Sequence, residues 1–296
     1  MRKHASRIVG IEFEKFNTVK QIEYNVEGSV TPSDDTTLFI SAGMQKFKPL
    51  FKDTTYKGTI SNIQSCLRLN DLDVILANTS PIHFLSFEML GLFSFRELSV
   101  KQAIDYWMEF LDTLGIKPDY VTIHPNKLEW KELYSSHDVE IRIDEECTWS
   151  DGSKDSTPSY CTEFYKNDIE IGNIVNPNGD CIDSGFGCNR IQFLLDGIQK
   201  TKEDKIRESI FKIISSGYTP TYNKQGSLLR KLLRICYLEN IQIDHQFYTD
   251  ELVRQRKIID KYNRMKQKPK FKDKENDREF WMSTLGIDID LINGIL

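Results

Sequence analysis

At 296 residues with a net charge of −5 and a pI near 5.7, the chain has no overall basic field, so any contact with nucleic acid must use a local patch. No apolar run approaches the length of a membrane span, and a chain this long can bury a sizeable core as one large domain or two. Six cysteines (Cys66, Cys147, Cys161, Cys181, Cys188 and Cys236) lack Cys-x-x-Cys spacing and read as reduced thiols of a cytoplasmic protein, which argues against a disulfide frame or a zinc site.

The first residues, Met1–Arg7, are basic, but the apolar stretch that follows reaches Glu12 too soon to serve as a signal peptide. Up to about residue 200, short β-rich runs alternate with Gly, Pro, Asn and Asp turns: Thr37–Ile40, Ser61–Arg68, the Phe-rich His83–Phe95, Tyr120–His124, Val139–Ile143 and Ile169–Val175. Ser61–Arg68 and the Phe-rich run are expected to pair as a long hairpin. The spacing predicts one clear helix over Val100–Leu114 and a second over Arg190–Gly197. Beyond residue 200, apolar residues fall three and four apart, which predicts helices over Lys202–Ser215, Ser227–Glu239, Phe247–Met265 and Arg278–Leu285. Lys266–Asp277 is polar and charged and is expected to stay an exposed loop. The expected fold class is α+β: a mainly antiparallel sheet flanked by helices over 1–200, then a smaller helical domain over 201–296, without internal repeats.

Candidate chemistry starts at Arg68. A strand-borne arginine can grip one phosphate bidentately and stays charged at any working pH, so it can hold charge that builds on that phosphate during attack by a carboxylate. Arg190 supplies the other end, because Gly185 and Gly187 let the backbone approach a ligand where the helix begins. Two arginines at opposite ends of a triphosphate would hold it for in-line attack, so the order of Arg68, the Phe87-Glu88 strand and the Gly-x-Gly-x-x-Arg helix reads as an ATP site on antiparallel strands.

These residues resemble the catalytic motifs of class II aminoacyl-tRNA synthetases, and specifically of the alanyl-tRNA synthetase family, almost end to end. Thr37–Phe51 resembles the first motif region, with Ser41-Ala42-Gly43-Met44 where the family writes Asn-Ala-Gly-Met. Phe87-Glu88-Met89-Leu90-Gly91 resembles the second motif, and Arg190 the arginine of the third. Tyr160–Tyr165 is similar to the family's Pro-Cys-Thr-Glu-Ile segment and Glu170–Val175 to its Glu-Ile-Trp-Asn-Ile-Val strand. The resemblance implies Arg68 on the α-phosphate, Arg190 on the terminal phosphate, and Phe87 and Glu88 in the ATP site. It implies Asp183, Asn173, Val175 and Trp149 around a small amino acid, with Asp183 placed to pair with the α-ammonium. Glu170 becomes a candidate Mg2+ ligand, since a hard cation needs oxygen donors beside the phosphates; a solvated strand carboxylate is the alternative.

Departures fall on functional segments. Ile82-His83-Phe84 stands where the family has Arg-His-His, which leaves His83 as the candidate replacement for a phosphate arginine or as an ordinary half-buried strand histidine. Gly172 replaces a tryptophan, implying a wider or reshaped pocket, and Asn189 replaces the glutamate before the motif arginine. In the helical part, Pro220–Arg234 resembles the segment that approaches the tRNA acceptor stem, and Tyr222 occupies the place of a base-reading asparagine unless Asn223 substitutes after a shift. Arg230, Lys231 and Arg234 form a basic helix face suited to phosphates or to solvent. Phe280–Leu291 resembles the stretch that leads into the family's editing domain, and no metal other than magnesium is implied. The expected activity is ATP-dependent activation of alanine or another small amino acid and its transfer to tRNA. The alternatives are an amino-acid:AMP ligase loading a carrier protein or a biosynthetic nucleophile, and a non-catalytic regulatory paralogue; no membrane partner is expected.

Overall fold

A computed structural model describes residues 5–33, 35–150, 159–274, 277 and 279–284. Among them, nine strands form the sheet: β1 (Glu23–Glu27), β2 (Gly58–Leu67), β3 (Ser86–Phe95), β4 (Tyr120–Ile123), β5 (Glu140–Ile143), β6 (Thr148–Trp149), β7 (Ser159–Lys166), β8 (Ile169–Val175) and β9 (Cys181–Gly187). They run in the order β1-β2-β3-β9-β8-β7-β4-β5, with β6 paired to β7. The pairs β1–β2 and β4–β5 are parallel and the remaining neighbours antiparallel. The helices are α1 (Ala5–Lys20), α2 (Lys48–Lys52), α3 (Leu72–Leu76), α4 (Val100–Thr113), α5 (Cys188–Asp196), α6 (Lys202–Ser215), α7 (Lys224–Leu238) and α8 (Gln246–Lys266).

The fold is α+β, and the chain divides into two compact units, Met1–Lys205 and Ile206–Leu296. In the first unit, α4 starts on a capping box in which Ser99 and Gln102 satisfy each other's main-chain N–H groups. It buries Ile104, Trp107, Phe110 and Leu111 against the sheet's inner face. The sequence reading missed α1, whose Val9, Phe13 and Phe16 pack on α4, because exposed Ile8, Ile11 and Val19 blur its apolar stripe. Phe13 lies parallel to Trp107 with ring centroids 5.5 Å apart.

Thr37–Ile40 joins no strand ladder, contrary to expectation; Ile40 is fixed by main-chain bonds from its N–H to Val30 O and to its own O from the Leu67 N–H. In the second unit, α7 buries Leu229, Leu232, Leu233 and Cys236. Lys266–Asp277, expected as an exposed loop, contains a 3-10 turn over Pro269–Lys274, because Phe271 buries with Tyr262 and Trp281. A single helical turn covers Phe280–Thr284, while Arg278 and the residues from Leu285 onward, including most of the stretch that resembles the lead into an editing domain, lie outside the described residues. Among the described residues, no helix is long and apolar enough to cross a membrane.

Candidate active site

The site follows from strand alternation. On β3, Leu90 and Leu92 enter the core, so Phe87, Met89 and Phe93 face the other way; on β9, Ile182 and Phe186 enter the core, so Asp183, Gly185 and Gly187 share that outer face. Register then joins the two rows, with Met89 opposite Gly187, Gly91 opposite Gly185 and Phe93 opposite Asp183. On its other side β9 places Gly185 opposite Asn173 and Asp183 opposite Val175. Apart from Gly91, which is covered by Phe93 and Asn62, these residues line a cavity of about 230 Å³.

A bulge brings Glu170 to the same wall. Tyr165 pairs with Glu170 and Glu163 with Asn173, so two residues on β7 span three on β8, and the extra residue turns Glu170 to the cavity face. Without that bulge, Glu170 and Asn173, an odd number of residues apart, would face opposite sides. Gly172 lies in the bulged stretch. A Cβ there would press on Cγ of Phe186, 2.5 Å from its Cδ1 and 2.7 Å from O of Gly185. The space left by the missing side chain is therefore filled: Phe186 occupies it, stacked on Trp107 at 3.9 Å. Gly172 itself lines the cavity, and of the two expectations for it, a wider or a reshaped pocket, the Phe186 contact favours reshaping.

Arg68, His83, Phe87, Asn173, Val175, Trp149, Asp183, Glu170 and Arg190 all line this one cavity. Glu88 does not; its main-chain N–H donates to Asn189 Oδ1 at 2.9 Å, tying β3 to the first turn of α5. Arg68 donates from Nε to the Ser41 carbonyl at 2.8 Å, and its guanidinium lies 5.1 Å from the centre of the Phe87 ring. Its two terminal nitrogens have no partner among the described residues. Arg190 donates from Nη1 to the Glu170 carbonyl at 2.7 Å and to Glu170 Oε2 at 2.9 Å. The Glu170 carboxylate thus suits a hard cation in chemistry and position, while one of its oxygens serves Arg190. His83 holds Ser80 Oγ at 2.6 Å through Nδ1.

Asp183 is only 7% exposed, and its carboxylate has no hydrogen-bond or ion-pair partner among the described residues. Burial pushes its pKa up to about 7. A buried carboxylate without a partner is unfavourable to ionise, and an incoming ammonium reverses that cost. Behind Val175 and Trp149, the ligating atoms of Cys147, Cys161 and Glu163 come within 4.8 Å of one another, a grouping that sequence spacing did not reveal. Hydrogen bonding with Cys147 and burial push the Cys161 thiol far up, burial raises Glu163, and the Tyr165 hydroxyl donates to Glu163 Oε2 at 2.7 Å. The grouping is a hydrogen-bonded wall behind the pocket.

In the second unit, Tyr222 is 81% exposed and stacks with Arg230, whose guanidinium lies 4.1 Å from its ring centre. Arg254 of α8, missed in the sequence, approaches the same ring at 5.6 Å. Arg230 and Arg234 are half-buried, whereas Lys231 and Asn223 are exposed, with Asn223 at the N-cap of α7.

The family model for tRNA synthetases class II (A) matches residues 12–160. Alanine–tRNA ligase of Petrotoga mobilis is 26% identical over 292 residues, covering 70% of this chain and 32% of the relative. The Leptospira biflexa alanine–tRNA ligase is 29% identical over 268 residues, covering 69% and 29%. That of Desulfitobacterium hafniense is 33% identical over 178 residues, covering 56% and 19%. The chain thus spans about a third or less of the length of these curated relatives. Among solved structures, Desulfitobacterium hafniense PylSc, a pyrrolysyl tRNA synthetase, matches with a TM-score of 0.41 at 13% identity over 67% of this chain and 69% of its own. Aspartyl tRNA synthetase from Entamoeba histolytica matches with a TM-score of 0.41 at 11% identity over 69% and 56%.

Proposed function

The chain belongs to the tRNA synthetases class II (A), and on that premise we propose that it activates alanine or a similarly small amino acid with ATP and transfers it to tRNA. The observation that carries this reading is the convergence of Arg68, Asp183 and Arg190, far apart in sequence, on one cavity. The substrate ammonium pairs with Asp183, its carboxylate points toward Arg68, and Val175 and Trp149 bound its side chain. A carboxylate oxygen attacks the α-phosphorus, the bond from that phosphorus to the bridging oxygen breaks, and pyrophosphate leaves from the Arg190 side. Arg68, held by Ser41 and with its terminal nitrogens available, stabilises the charge gathered on the α-phosphate. A hydroxyl of the tRNA 3′ end then attacks the acyl carbon and AMP leaves.

Mg2+, held by Glu170 and the phosphates, would screen the triphosphate charge. His83 and Phe87 belong to the ATP end of the same site, and Glu88, outside the cavity, supports it by tying β3 to the first turn of α5 through Asn189. The second unit meets the acceptor through Tyr222, Asn223, Arg230, Lys231 and Arg234, with Arg254 joining Tyr222. Buried free cysteines suit a cytoplasmic setting.

The test is amino-acid-dependent pyrophosphate exchange, followed by transfer of labelled alanine to bulk tRNA and, separately, to a phosphopantetheinyl carrier protein. Arg230→Ala/Lys231→Ala/Arg234→Ala should leave exchange intact and abolish tRNA charging, with a parent whose tRNA binding weakens steeply with salt. Absence of exchange with every small amino acid overturns the reading; loading of the carrier protein but not of tRNA moves the acceptor to the alternative.

A further inference from the structure

Lys205 is 3% exposed, an unusual place for a lysine. It sits early in α6, outside the stretch matched by the family model and outside every motif read from the sequence. Its ammonium donates to the main-chain oxygen of Ser80 at 2.9 Å and lies 5.0 Å from the centre of the Phe84 ring. Lys200 approaches the same ring at 5.9 Å. Ser80 in turn meets His83 Nδ1 through its hydroxyl at 2.6 Å and caps the Ile82 N–H at 3.3 Å. His83 and Phe84 both line the cavity. One buried cation therefore holds the residue that orients His83, and two cations stand at the ring that closes the cavity on that side.

We propose that Lys205 is a positioning residue for polyphosphate binding: it fixes His83 through Ser80, and with Lys200 it brings positive charge to the Phe84 wall where Ile82 offers none. The inference rests on the reading of this cavity as a nucleotide site. Its ligand chemistry is a polyphosphate chain, and its place in the molecule differs from that of the two cavity arginines. Burial and the neighbouring charge of Lys200 both press the Lys205 pKa down, so the folded chain retains an ammonium there at a cost. An anion on the far side of Phe84 offsets that cost through the weakly screening protein interior. His83, with Nδ1 engaged by Ser80, keeps its other ring nitrogen for the ligand.

The experiment measures binding of inorganic tripolyphosphate by titration calorimetry, alongside the KM for ATP and kcat in pyrophosphate exchange. Lys205→Met should weaken tripolyphosphate binding and raise the KM for ATP by roughly fivefold to tenfold, with kcat changed less, and Lys205→Arg should restore most of the loss. Ser80→Ala, which keeps the carbonyl that Lys205 grips and removes the hydroxyl that orients His83, should give a similar shift in a protein whose core is untouched. If Lys205→Met does not fold, Ser80→Ala and Lys200→Gln decide the matter, each expected to weaken tripolyphosphate binding. Unchanged binding in Ser80→Ala and in the folded lysine variants overturns the proposal, as does a parent that binds no tripolyphosphate. A parent that binds tripolyphosphate in a Lys205-dependent way yet shows no exchange retains this inference and removes the activation reading.

Discussion

Arg190 reaches from α5 to Glu170 on β8 and grips it twice, at the main-chain oxygen (2.7 Å) and at Oε2 (2.9 Å). Both side chains are about one-third exposed, so the ion pair contributes about 1 kcal/mol or less and can be exchanged for a phosphate. The carbonyl contact stays when the carboxylate turns to another partner, which keeps the guanidinium on station.

Glu170→Gln separates the two roles of the carboxylate. It preserves the carbonyl grip and removes the negative charge, so the Mg2+ concentration for half-maximal exchange should rise by at least about tenfold while the melting temperature stays within a few degrees of the parent. An unchanged Mg2+ midpoint would show that Glu170 only tethers Arg190.

Arg68→Ala should lower the exchange rate by about two to three powers of ten while ATP affinity changes far less, since the group is proposed to act on charge that develops during attack. The measurement is exchange kinetics beside equilibrium ATP binding. Equal losses in both would reassign Arg68 to ground-state binding.

Asp183 makes stability and substrate binding depend on pH in opposite senses. Its folded pKa of about 7 stands above the ordinary carboxyl value of 3.8, so between those values the folded chain holds more protons than the unfolded one, and stability falls as pH rises. The loss is complete above about pH 7, on the order of 4 kcal/mol from the shift itself. Asp183→Asn should therefore match the parent in urea midpoint near pH 4 and exceed it at pH 8, while losing exchange. Amino-acid affinity in the parent should fall about tenfold per pH unit below 7, where the carboxyl must first lose its proton. A pH-independent affinity would remove Asp183 from the ammonium site.

Gly172→Ala places a methyl group against Phe186 and the Gly185 carbonyl, both held within the sheet. It should destabilise the protein by about 1–3 kcal/mol, read as a fall in urea midpoint. If instead the variant is as stable as the parent and its amino-acid preference narrows, the space at Gly172 belongs to the pocket after all.

The sequence was enough to mark α4 and α6, because each carries an apolar period of three and four matched by burial on one face, and β8, because its Ile- and Val-rich run is bounded by turn residues. It was enough to single out Arg68 and Arg190, because an obligate cation at a strand end and another just after a Gly-x-Gly stretch suit a polyphosphate, whereas Asp183 was marked only by the resemblance to the synthetase motifs. It did not reveal α1, whose apolar residues fall on more than one face, nor the Phe271 turn, whose lone aromatic sits among lysines and is buried only once Tyr262 and Trp281 are near.

What the tertiary structure decided is register and proximity. A bulge between β7 and β8 puts Glu170 on the face of Asn173, and no local preference encodes which strand residue is extra. Phe186 fills the place of the side chain missing at Gly172, a substitution between strands that a linear pattern cannot display. Lys205 reaches Ser80 across 125 residues of chain, so its tie to the pocket exists only after folding. Sequence fixes which groups are available and which period buries them; the energy of closing long loops and packing one layer on another fixes which of them meet.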